Sequence, residues 1–522
     1  MGLVGPDEPR YAWIARAMAT SGDWVTPRLY SQPWFEKPIL YYWLAAIGFR
    51  MDLPAEWAAR LPSAFAALAA ALAIAWLAWK HYGIGDDVAG SPVVLAPLIF
   101  STSVAAIGFA RAAAPDMLFA ACLTLAMVSA AGILRRAGSF RASPDTTAGT
   151  SQRDVMSLLF FGAALGFAAL AKGPAAVILA GGAIGIWAFA TGQWRAALRL
   201  AHPLAIAAFC IVALPWYILC QRRNPEFLHA FIFQHNFERY LTPLFQHKQP
   251  PWFFGPIVLL ALLPWTVLLV AAAQEARRLW REKSWRDSPG LFISCWAFFP
   301  ILFFTFSQSK LPGYILPAVP PLGLLLAVAC KRFANPDSKS WRGISIALAL
   351  TWAAMAFSPG ILIHRLPPGA RDALGRSILI CAAAAIAGGI IIAAVGLRRR
   401  RGAVLISALL VALLVEIAGA RILPALDPYI SPRTHAQILR NDRRPERLFS
   451  YHLNRSWNYG LAFYLYRELP QWSPNDPQAA LVLTNPKGLE EIRNLGRLGG
   501  ELDESHQGIL YVPILPSSLL SR

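Results

Sequence analysis

Long apolar runs recur along most of the chain, and they constrain the fold more than any other feature of the sequence. Only 15% of the residues are charged, whereas soluble domains carry about 25%. A run of about 20 apolar residues crosses the hydrocarbon core of a bilayer. The sequence therefore predicts a polytopic α-helical membrane protein, in which about twelve transmembrane helices lie near 60–80, 91–110, 115–134, 156–171, 174–192, 201–219, 253–273, 290–306, 313–330, 343–364, 377–397 and 402–420.

The distribution of positive charge predicts how these helices are oriented. The formal net charge is +19, but the excess of Lys and Arg lies in the loops between the apolar runs, so we expect no nucleic-acid partner. One alternating set of loops is richer in cations, and cation-rich loops face the cytoplasm. The opening segment, the loop 221–252 and the tail after residue 420 then face outward, to the periplasm if the cell is Gram-negative.

The segments outside the apolar runs define the expected domains. Residues 1–59 form a first periplasmic loop, and residues 60–420 form the transmembrane domain. Residues 421–522 form a small soluble α/β domain, with strand-like runs at 479–484 and 508–514 and a helix around 488–498. The same orientation places the N-terminus outside, although no signal peptide precedes it. We therefore expect that a further leading helix, which starts in the cytoplasm, is missing from this sequence.

Carboxylates and cations gather on the side that is predicted to be periplasmic. Asp7 opens the segment "DEPRY", Asp116 lies where an outward loop enters lipid, and "SQSKLPGY" supplies Lys310 and Tyr314. Carboxylates that face cations at a lipid boundary suit a phosphate-bearing lipid and a catalytic acid or base. Further polar members of the outward segments are Glu8, Arg10, Glu36, Lys37, His235 and Arg239.

Structural roles are open alternatives for several of these residues. Asp7 precedes an amphipathic stretch that stops at a Ser-Gly pair, so it could be a helix N-cap. Asp116 could cap its own span, and Glu36 with Lys37 could be an ordinary surface ion pair. The three histidines of loop 221–252 could bind a metal, but their spacing matches no standard zinc motif.

Six motifs, taken in order, resemble those of one known family. They are "DEPRYAWIARAMATSGDWVTPRLYSQPWFEKPILYYW" from residue 7, "APD" at 114–116, "AKGP" at 171–174, "QHNFERY" at 234–240, "HKQPPWFF" at 247–254 and "SQSKLPGYILPAVPPL" at 307–322. The family is that of the lipid A aminoarabinose transferases, which belong with the protein O-mannosyltransferases among the GT-C glycosyltransferases. Its members typically carry one more transmembrane helix directly before the Asp-Glu pair, which agrees with a missing first helix.

The resemblance implies an activity and a set of site residues. Family members move a sugar from a polyprenyl phosphate donor onto a lipid or protein acceptor at the outer face of the inner membrane. The residues carried over are the catalytic Asp7, Glu8 and Asp116, the donor-phosphate ligands Lys37, Arg239, Tyr314, Arg10 and Lys310, and, for a divalent metal that this class does not clearly require, Glu36 and His235.

The implied reaction explains why these residue types would be needed. Breaking a sugar–phosphate bond builds negative charge on the departing polyprenyl phosphate, and cations shielded from water stabilise that charge most in the transition state. A single displacement would invert the anomeric carbon. Asp7 would take the proton of a hydroxyl acceptor, or position an acceptor that is already a phosphate.

A secondary transporter or flippase for a lipid-linked sugar is the alternative function. Such proteins usually show internal repeats and charged residues near the middle of the bilayer. We find no convincing repeat in the sequence, and the acidic residues cluster at the outer surface. The glycosyltransferase is therefore the favoured prediction.

Overall fold

Helices make up most of the computed structural model. It describes residues 1–84, 87–140, 152–242, 249–333, 340–363, 368–398, 400–441, 447–499, 503–504 and 509–516. The α-helices are α1 (Asp7–Ser21), α2 (Leu40–Arg50), α3 (Ala55–Tyr82), α4 (Pro92–Ser101), α5 (Val104–Ala110), α6 (Pro115–Arg136), α7 (Gln152–Lys172), α8 (Ala175–Thr191), α9 (Trp194–Leu198), α10 (Pro203–Arg223), α11 (Arg239–Leu241), α12 (Phe254–Ala261), α13 (Leu268–Arg281), α14 (Pro289–Thr305), α15 (Val319–Phe333), α16 (Ser340–Ile363), α17 (Pro368–Arg398), α18 (Arg400–Ile417), α19 (Leu423–Ile430), α20 (Arg433–Asn441), α21 (Arg455–Leu465) and α22 (Pro486–Asn494).

Shorter elements connect these helices. Two π-helices span His229–Glu238 and Ala418–Ile422. The 3₁₀ turns span Arg199–Ala201, Pro251–Phe253, Trp265–Val267 and Pro312–Ala318. The strands are β1 (Arg28–Leu29), β2 (Gln32–Pro33), β3 (Leu448–Tyr451), β4 (Ala480–Thr484), β5 (Asp503–Glu504) and β6 (Leu510–Ile514).

Each of the twelve predicted spans coincides with helix in the described part of the chain. Eight helical segments there are long and apolar enough to cross a membrane, and the number rises to ten if each of two bent pairs is one span. The two remaining predicted spans coincide with α8 and α14, which are shorter apolar helices. The predicted class, a polytopic α-helical membrane protein, is therefore confirmed, while the number of crossings stays a prediction.

The two bent pairs meet at their breaks. Helices α4 and α5 are bent by 63°, and the segments on either side of residues 262–264 are bent by 114°. The Val104 amide donates to the Leu263 carbonyl at 3.0 Å, and the Trp265 indole donates to the Thr102 hydroxyl at 3.0 Å. The break between α4 and α5 and the break at residues 262–264 therefore hydrogen-bond to each other. Non-helical backbone inside a membrane protein is tolerated where its polar groups find partners in this way.

Helix α6 is the most completely buried of the long apolar helices in the described residues. It packs against α3, α7 and the 3₁₀ turn at 312–318. Pro115 occupies its first position and Asp116 lies in its first turn. The central place of α6 therefore holds Asp116 inside the bundle, at the end that is predicted to face the periplasm.

The opening segment folds against the membrane domain and the C-terminal domain together. Helix α1 packs against α2 and α21. It is capped by Gly22, which adopts a φ of +72° and whose amide donates to the Met18 carbonyl. A tight hairpin of β1 and β2 follows, with Tyr30 and Ser31 at φ of +51° and +68° between the strands. The helix and its stop at the Ser-Gly pair agree with the sequence prediction.

The C-terminal domain is a small α/β unit, as predicted. Its sheet has the order β3-β4-β6-β5, in which β3 and β4 are parallel and the other neighbours are antiparallel. The predicted runs at 479–484 and 508–514 correspond to β4 and β6, and the predicted helix corresponds to α22. The sequence did not predict β3, β5, α19, α20 or α21 of this domain, and α21 is the helix that contacts α1.

Candidate active site

Asp7 lies at the first position of α1, where its carboxylate is left available. The N-cap position belongs to Pro6, and no side chain caps the helix, so the geometry does not support Asp7 as the N-cap. Instead, Oδ1 of Asp7 accepts a hydrogen bond from Nη2 of Arg10 at 2.5 Å. The Asp7 side chain is 59% exposed, which suits a group that meets a substrate.

Arg10 joins two of the predicted site carboxylates. Its Nη2 lies 2.5 Å from Oδ1 of Asp7 and 3.0 Å from Oε2 of Glu36. Lys37 extends the cluster, because its Nζ lies 3.6 Å from Oε1 of Glu36. The structure thus brings the start of α1 and the segment before α2 together as a group of alternating charges.

Glu8 has a different environment from its neighbour Asp7. Its oxygens accept hydrogen bonds from Arg60 at 2.6 and 3.1 Å, from the Val4 amide at 2.9 Å and from the Ala113 amide at 2.8 Å. The carboxylate therefore ties α1 to α3 and to the loop before α6. We propose that Glu8, which the resemblance placed in a catalytic pair, positions this part of the site.

Replacing Glu8 with Gln should lower the free energy of unfolding without abolishing the sugar transfer that the resemblance implies. The amide side chain keeps one acceptor oxygen but leaves part of the Arg60 guanidinium without its anionic partner, and such a loss costs about 1–3 kcal/mol. Thermal unfolding in detergent measures the change. An unaltered melting temperature together with complete loss of transfer would instead indicate that Glu8 acts in the reaction.

A cavity of about 310 Å³ lies beside this charged group. It is enclosed by the segment before α2, the start of α8, the π-helix at 229–238, the end of α14 and the 3₁₀ turn at 312–318. One part of its wall is polar and the other is apolar. The polar lining includes Glu36, Lys37, Lys172, His235 and Tyr314, and the apolar lining includes Ile178, Phe231, Phe237, Phe303 and Phe304.

Lys172, which the sequence did not predict as a site residue, links Asp116 to the cavity. Nζ of Lys172 donates to Oδ1 of Asp116 at 2.6 Å and lies 5.2 Å from the centre of the Tyr314 ring. Lys172 is the lysine of the "AKGP" motif, from which the resemblance carried over no site residue. The motif forms a tight turn, with Gly173 at φ of +78°, and its position among the six motifs is the sequence signal for a functional lysine.

Lys310, a predicted phosphate ligand, is buried away from the cavity wall. Lys310 is 7% exposed, and its ammonium donates to the Gln249 carbonyl at 3.1 Å, so it fastens the segment after the π-helix region to the "SQSKLPGY" segment. It does not line the cavity. Arg239 begins α11, next to residues that line the cavity, but its side chain lies outside the described part of the structure, as do His247 and Lys248.

The residues suggested for a divalent metal share the cavity wall but form a small donor set. Glu36 and His235 both line the cavity. Within the described residues, no group of three His, Cys, Asp or Glu side chains is placed to hold a metal ion. The Glu36 carboxylate also faces two cations, Arg10 and Lys37. These residues do not fit a tightly held metal, and we assign it no step.

The surroundings of Asp7 alter its proton affinity. Although more than half exposed, the carboxylate stands in a recess of the protein, and the loss of bulk water there raises the pKa of Asp7 above its ordinary value. The nearby carboxylates Glu36 and Asp116 act in the same direction, whereas Arg10 and Lys37 oppose them. A raised pKa is the property expected of a carboxylate that must accept a proton near neutral pH.

Comparisons with known proteins agree with the resemblance. The family model of the dolichyl-phosphate-mannose-protein mannosyltransferases matches residues 2–231. The undecaprenyl phosphate-alpha-4-amino-4-deoxy-L-arabinose arabinosyl transferase of Erwinia tasmaniensis is 31% identical over 393 residues, 73% of this chain and 66% of that protein. The protein of the same name from Yersinia enterocolitica is 34% identical over 337 residues, 64% of this chain and 56% of that protein. The matches thus span roughly 56–66% of these relatives.

A solved structure shares the whole architecture. The crystal structure of ArnT from Cupriavidus metallidurans bound to undecaprenyl phosphate superposes with a TM-score of 0.79 at 22% identity, over 98% of this chain and 94% of that one. The chain therefore has the fold of that membrane protein. The sequence similarities place it with the aminoarabinose transferases and the protein mannosyltransferases, as the motifs predicted.

Proposed function

We propose that this protein transfers a sugar from a polyprenyl-phosphate-linked donor to a lipid or protein acceptor, at the periplasmic face of the inner membrane. The names of its relatives make an undecaprenyl phosphate-linked aminoarabinose the first donor to test. The observation that carries the proposal is the cavity whose wall combines ammonium groups with aromatic and aliphatic side chains. A polyprenyl phosphate would match this wall, because its anionic phosphate suits the ammonium groups and its isoprenoid chain suits the apolar side chains.

The cations on the cavity wall can stabilise the negative charge of the leaving phosphate. Lys37 and Lys172 line the cavity, and the Tyr314 ring lies 5.2 Å from Nζ of Lys172 and 4.8 Å from the ring of Phe304. As the sugar–phosphate bond lengthens, charge develops on the phosphate, and fixed cations in a site with little water stabilise it more than the ground state. Arg239, which follows the π-helix, is proposed as a further phosphate ligand because an arginine can hold two phosphate oxygens at once.

The carboxylate of Asp7 can take the proton of the acceptor. Asp7 is exposed, and Arg10 links it to Glu36, which lines the cavity. An acceptor hydroxyl that approaches beside Asp7 would lose its proton to this carboxylate while it attacks the anomeric carbon. The sugar would then leave the phosphate in one displacement, with inversion and without a covalent enzyme intermediate.

A reconstituted reaction tests the proposal. Proteoliposomes that contain the protein, a polyprenyl-phosphate-linked sugar and a lipid acceptor should yield glycosylated acceptor and free polyprenyl phosphate, both of which mass spectrometry detects. Movement of the donor between leaflets with its headgroup intact would instead identify a flippase. The aminoarabinose donor and a mannose donor, compared at equal concentration, test the choice of sugar.

Lys37 should matter mainly for the donor. Its ammonium makes one ion pair within the described residues, at 3.6 Å from Glu36, so much of its hydrogen-bonding capacity faces the cavity. Replacement of Lys37 with Met should lower kcat/KM for the donor roughly tenfold to a hundredfold, since a charged hydrogen bond contributes about 1.5–3 kcal/mol. Initial rates over a range of donor concentrations measure this. An unaffected kcat/KM would remove Lys37 from the phosphate site.

A further inference from the structure

The C-terminal domain reaches the charged group at the start of α1. Tyr459 of α21 lies under the guanidinium of Arg10, with 5.8 Å from the ring centre to Cζ. The same ring stacks on Tyr30 of the β1–β2 hairpin at 6.2 Å between ring centres and 28° between planes. A residue far along the chain therefore contacts the arginine that holds Asp7 and Glu36.

Aromatic faces provide much of the support for Arg10. Its Nη2 serves both carboxylates, whereas its buried Nε has no hydrogen-bond partner within the described part of the chain. Besides Tyr459, the rings of Tyr11 and Trp34 lie 5.2 and 5.6 Å from Cζ. A guanidinium gains from contact with aromatic faces. The orientation of this one consequently depends on the three rings as well as on the ion pairs.

The hairpin keeps Tyr30 in place at a conformational cost. Tyr30 adopts a φ of +51°, which is uncommon for a bulky side chain. Its ring is held on one side by Tyr459 and on the other by Trp13 of α1, edge-on at 5.0 Å. Unfavourable backbone conformations persist where the surroundings over-determine them, often at functional sites. Tyr30 thus backs the contact between Tyr459 and Arg10.

We propose that Tyr459 is a positioning residue, through which the C-terminal domain fixes Arg10 and so sets the place of Asp7 for the reaction. The inference rests on the proposed function, in which Asp7 accepts a proton. It assigns the C-terminal domain an indirect part in the chemistry, because without Tyr459 the guanidinium can turn away from one carboxylate while the fold remains.

The protonation of Asp7 reports on this coupling. The charged groups that face Asp7 in the described residues are Arg10 from α1, Glu36 and Lys37 from the segment before α2, and Asp116 from α6. Among the described residues, only Arg10 hydrogen-bonds to Asp7. If Arg10 moves away, the two other carboxylates act with less compensation, so Asp7 becomes harder to ionise. The acidic limb of the pH–rate profile then moves to higher pH.

Two substitutions of Tyr459 separate the ring from the hydroxyl. Tyr459→Leu removes the aromatic face, so kcat should fall roughly tenfold to a hundredfold, as expected for a misplaced catalytic group, with KM for the donor little changed. The acidic limb should move to higher pH. Tyr459→Phe keeps the face and should retain both the rate and the limb. Trp457→Leu, on the same helix but packed against His435 inside the domain, is the matched control and should leave the limb in place.

The outcomes decide the proposal. An acidic limb that stays in place in Tyr459→Leu, or that moves equally in Trp457→Leu, would overturn it, because the effect would then be general loosening of the domain. A double-mutant cycle of Tyr459→Leu and Arg10→Met, measured by thermal unfolding, tests the contact without an activity assay. Melting shifts that are simply additive would refute the contact's role. If the parent protein transfers no sugar while the cycle shows coupling, the proposed function fails and the positioning contact stands.

Discussion

Sugar transfer should fall by roughly a hundredfold to ten-thousandfold when Asp7 is replaced with Asn, which is the range that a positioned proton acceptor contributes. Asn keeps the size of the side chain and an oxygen that Arg10 can bond as it bonds Asp7 at 2.5 Å. It removes the charge that would take a proton from the acceptor. Initial rates of transfer in proteoliposomes measure the loss.

A matched control comes from the same opening segment. Asp52 is exposed and sits at φ of +53°, a conformation that Asn also adopts. Asp52→Asn should therefore leave transfer unchanged, and both variants should keep the parent melting temperature. Full turnover in Asp7→Asn would assign the reaction to a different group, whereas an equal loss in both variants would indicate damage to the segment as a whole.

The pH dependence of transfer should carry the signature of Asp7. Burial and the neighbouring carboxylates raise the pKa of Asp7, so the base loses its charge at a higher pH than an ordinary aspartate, whose pKa is about 3.9. Because the ionised form is the active one, kcat/KM should decrease as the pH falls through this raised value. The limb should be absent from the residual activity of Asp7→Asn, and its persistence there would assign it to another group.

The sequence was most informative where burial in lipid constrains it. Apolar runs and the motif order indicated the class, the helices and the approximate places of the polar residues. Asp7 and Lys37 were predicted to share one site through the resemblance, in which both belong to the opening segment. Periodicity and hydropathy report only local environment, so contacts between distant segments had to come from the resemblance or from the structure.

The same limit applies to Lys172, to the environment of Glu8 and to Tyr459. Lys172 ends an apolar helix, where a lysine ordinarily extends to the interface, and beyond its place in the motif order its contact with Asp116 at 2.6 Å points to another role. Glu8 and Asp7 are adjacent in sequence, yet one is enclosed by Arg60 and two amides while the other is exposed. Tyr459 lies in a helix that the sequence did not predict.

The pair formed by Lys172 and Asp116 should respond most strongly to removal of one partner. Only 12% and 21% of the two side chains are exposed. Lys172→Met keeps the volume but leaves a carboxylate without its cation, and breaking a buried pair in this way costs about 3–5 kcal/mol. We expect a large fall in melting temperature in detergent and loss of transfer. Lys80→Met, at an exposed helix end beside Trp79, should change neither.

The double variant Lys172→Met/Asp116→Asn distinguishes stability from chemistry. Replacing both charges removes the unpaired carboxylate, so most of the lost melting temperature should return, as it does when buried ion pairs are exchanged for neutral groups. Transfer should remain low, because the cavity has lost the ammonium that lies 5.2 Å from the Tyr314 ring, where the donor phosphate is proposed to bind. If transfer returns together with stability, the pair only holds α6 against α7, and the phosphate must be bound by the cations before α2 and after the π-helix. Low transfer in a stable double variant instead assigns a charge of this pair, the Lys172 ammonium or the Asp116 carboxylate, to the reaction.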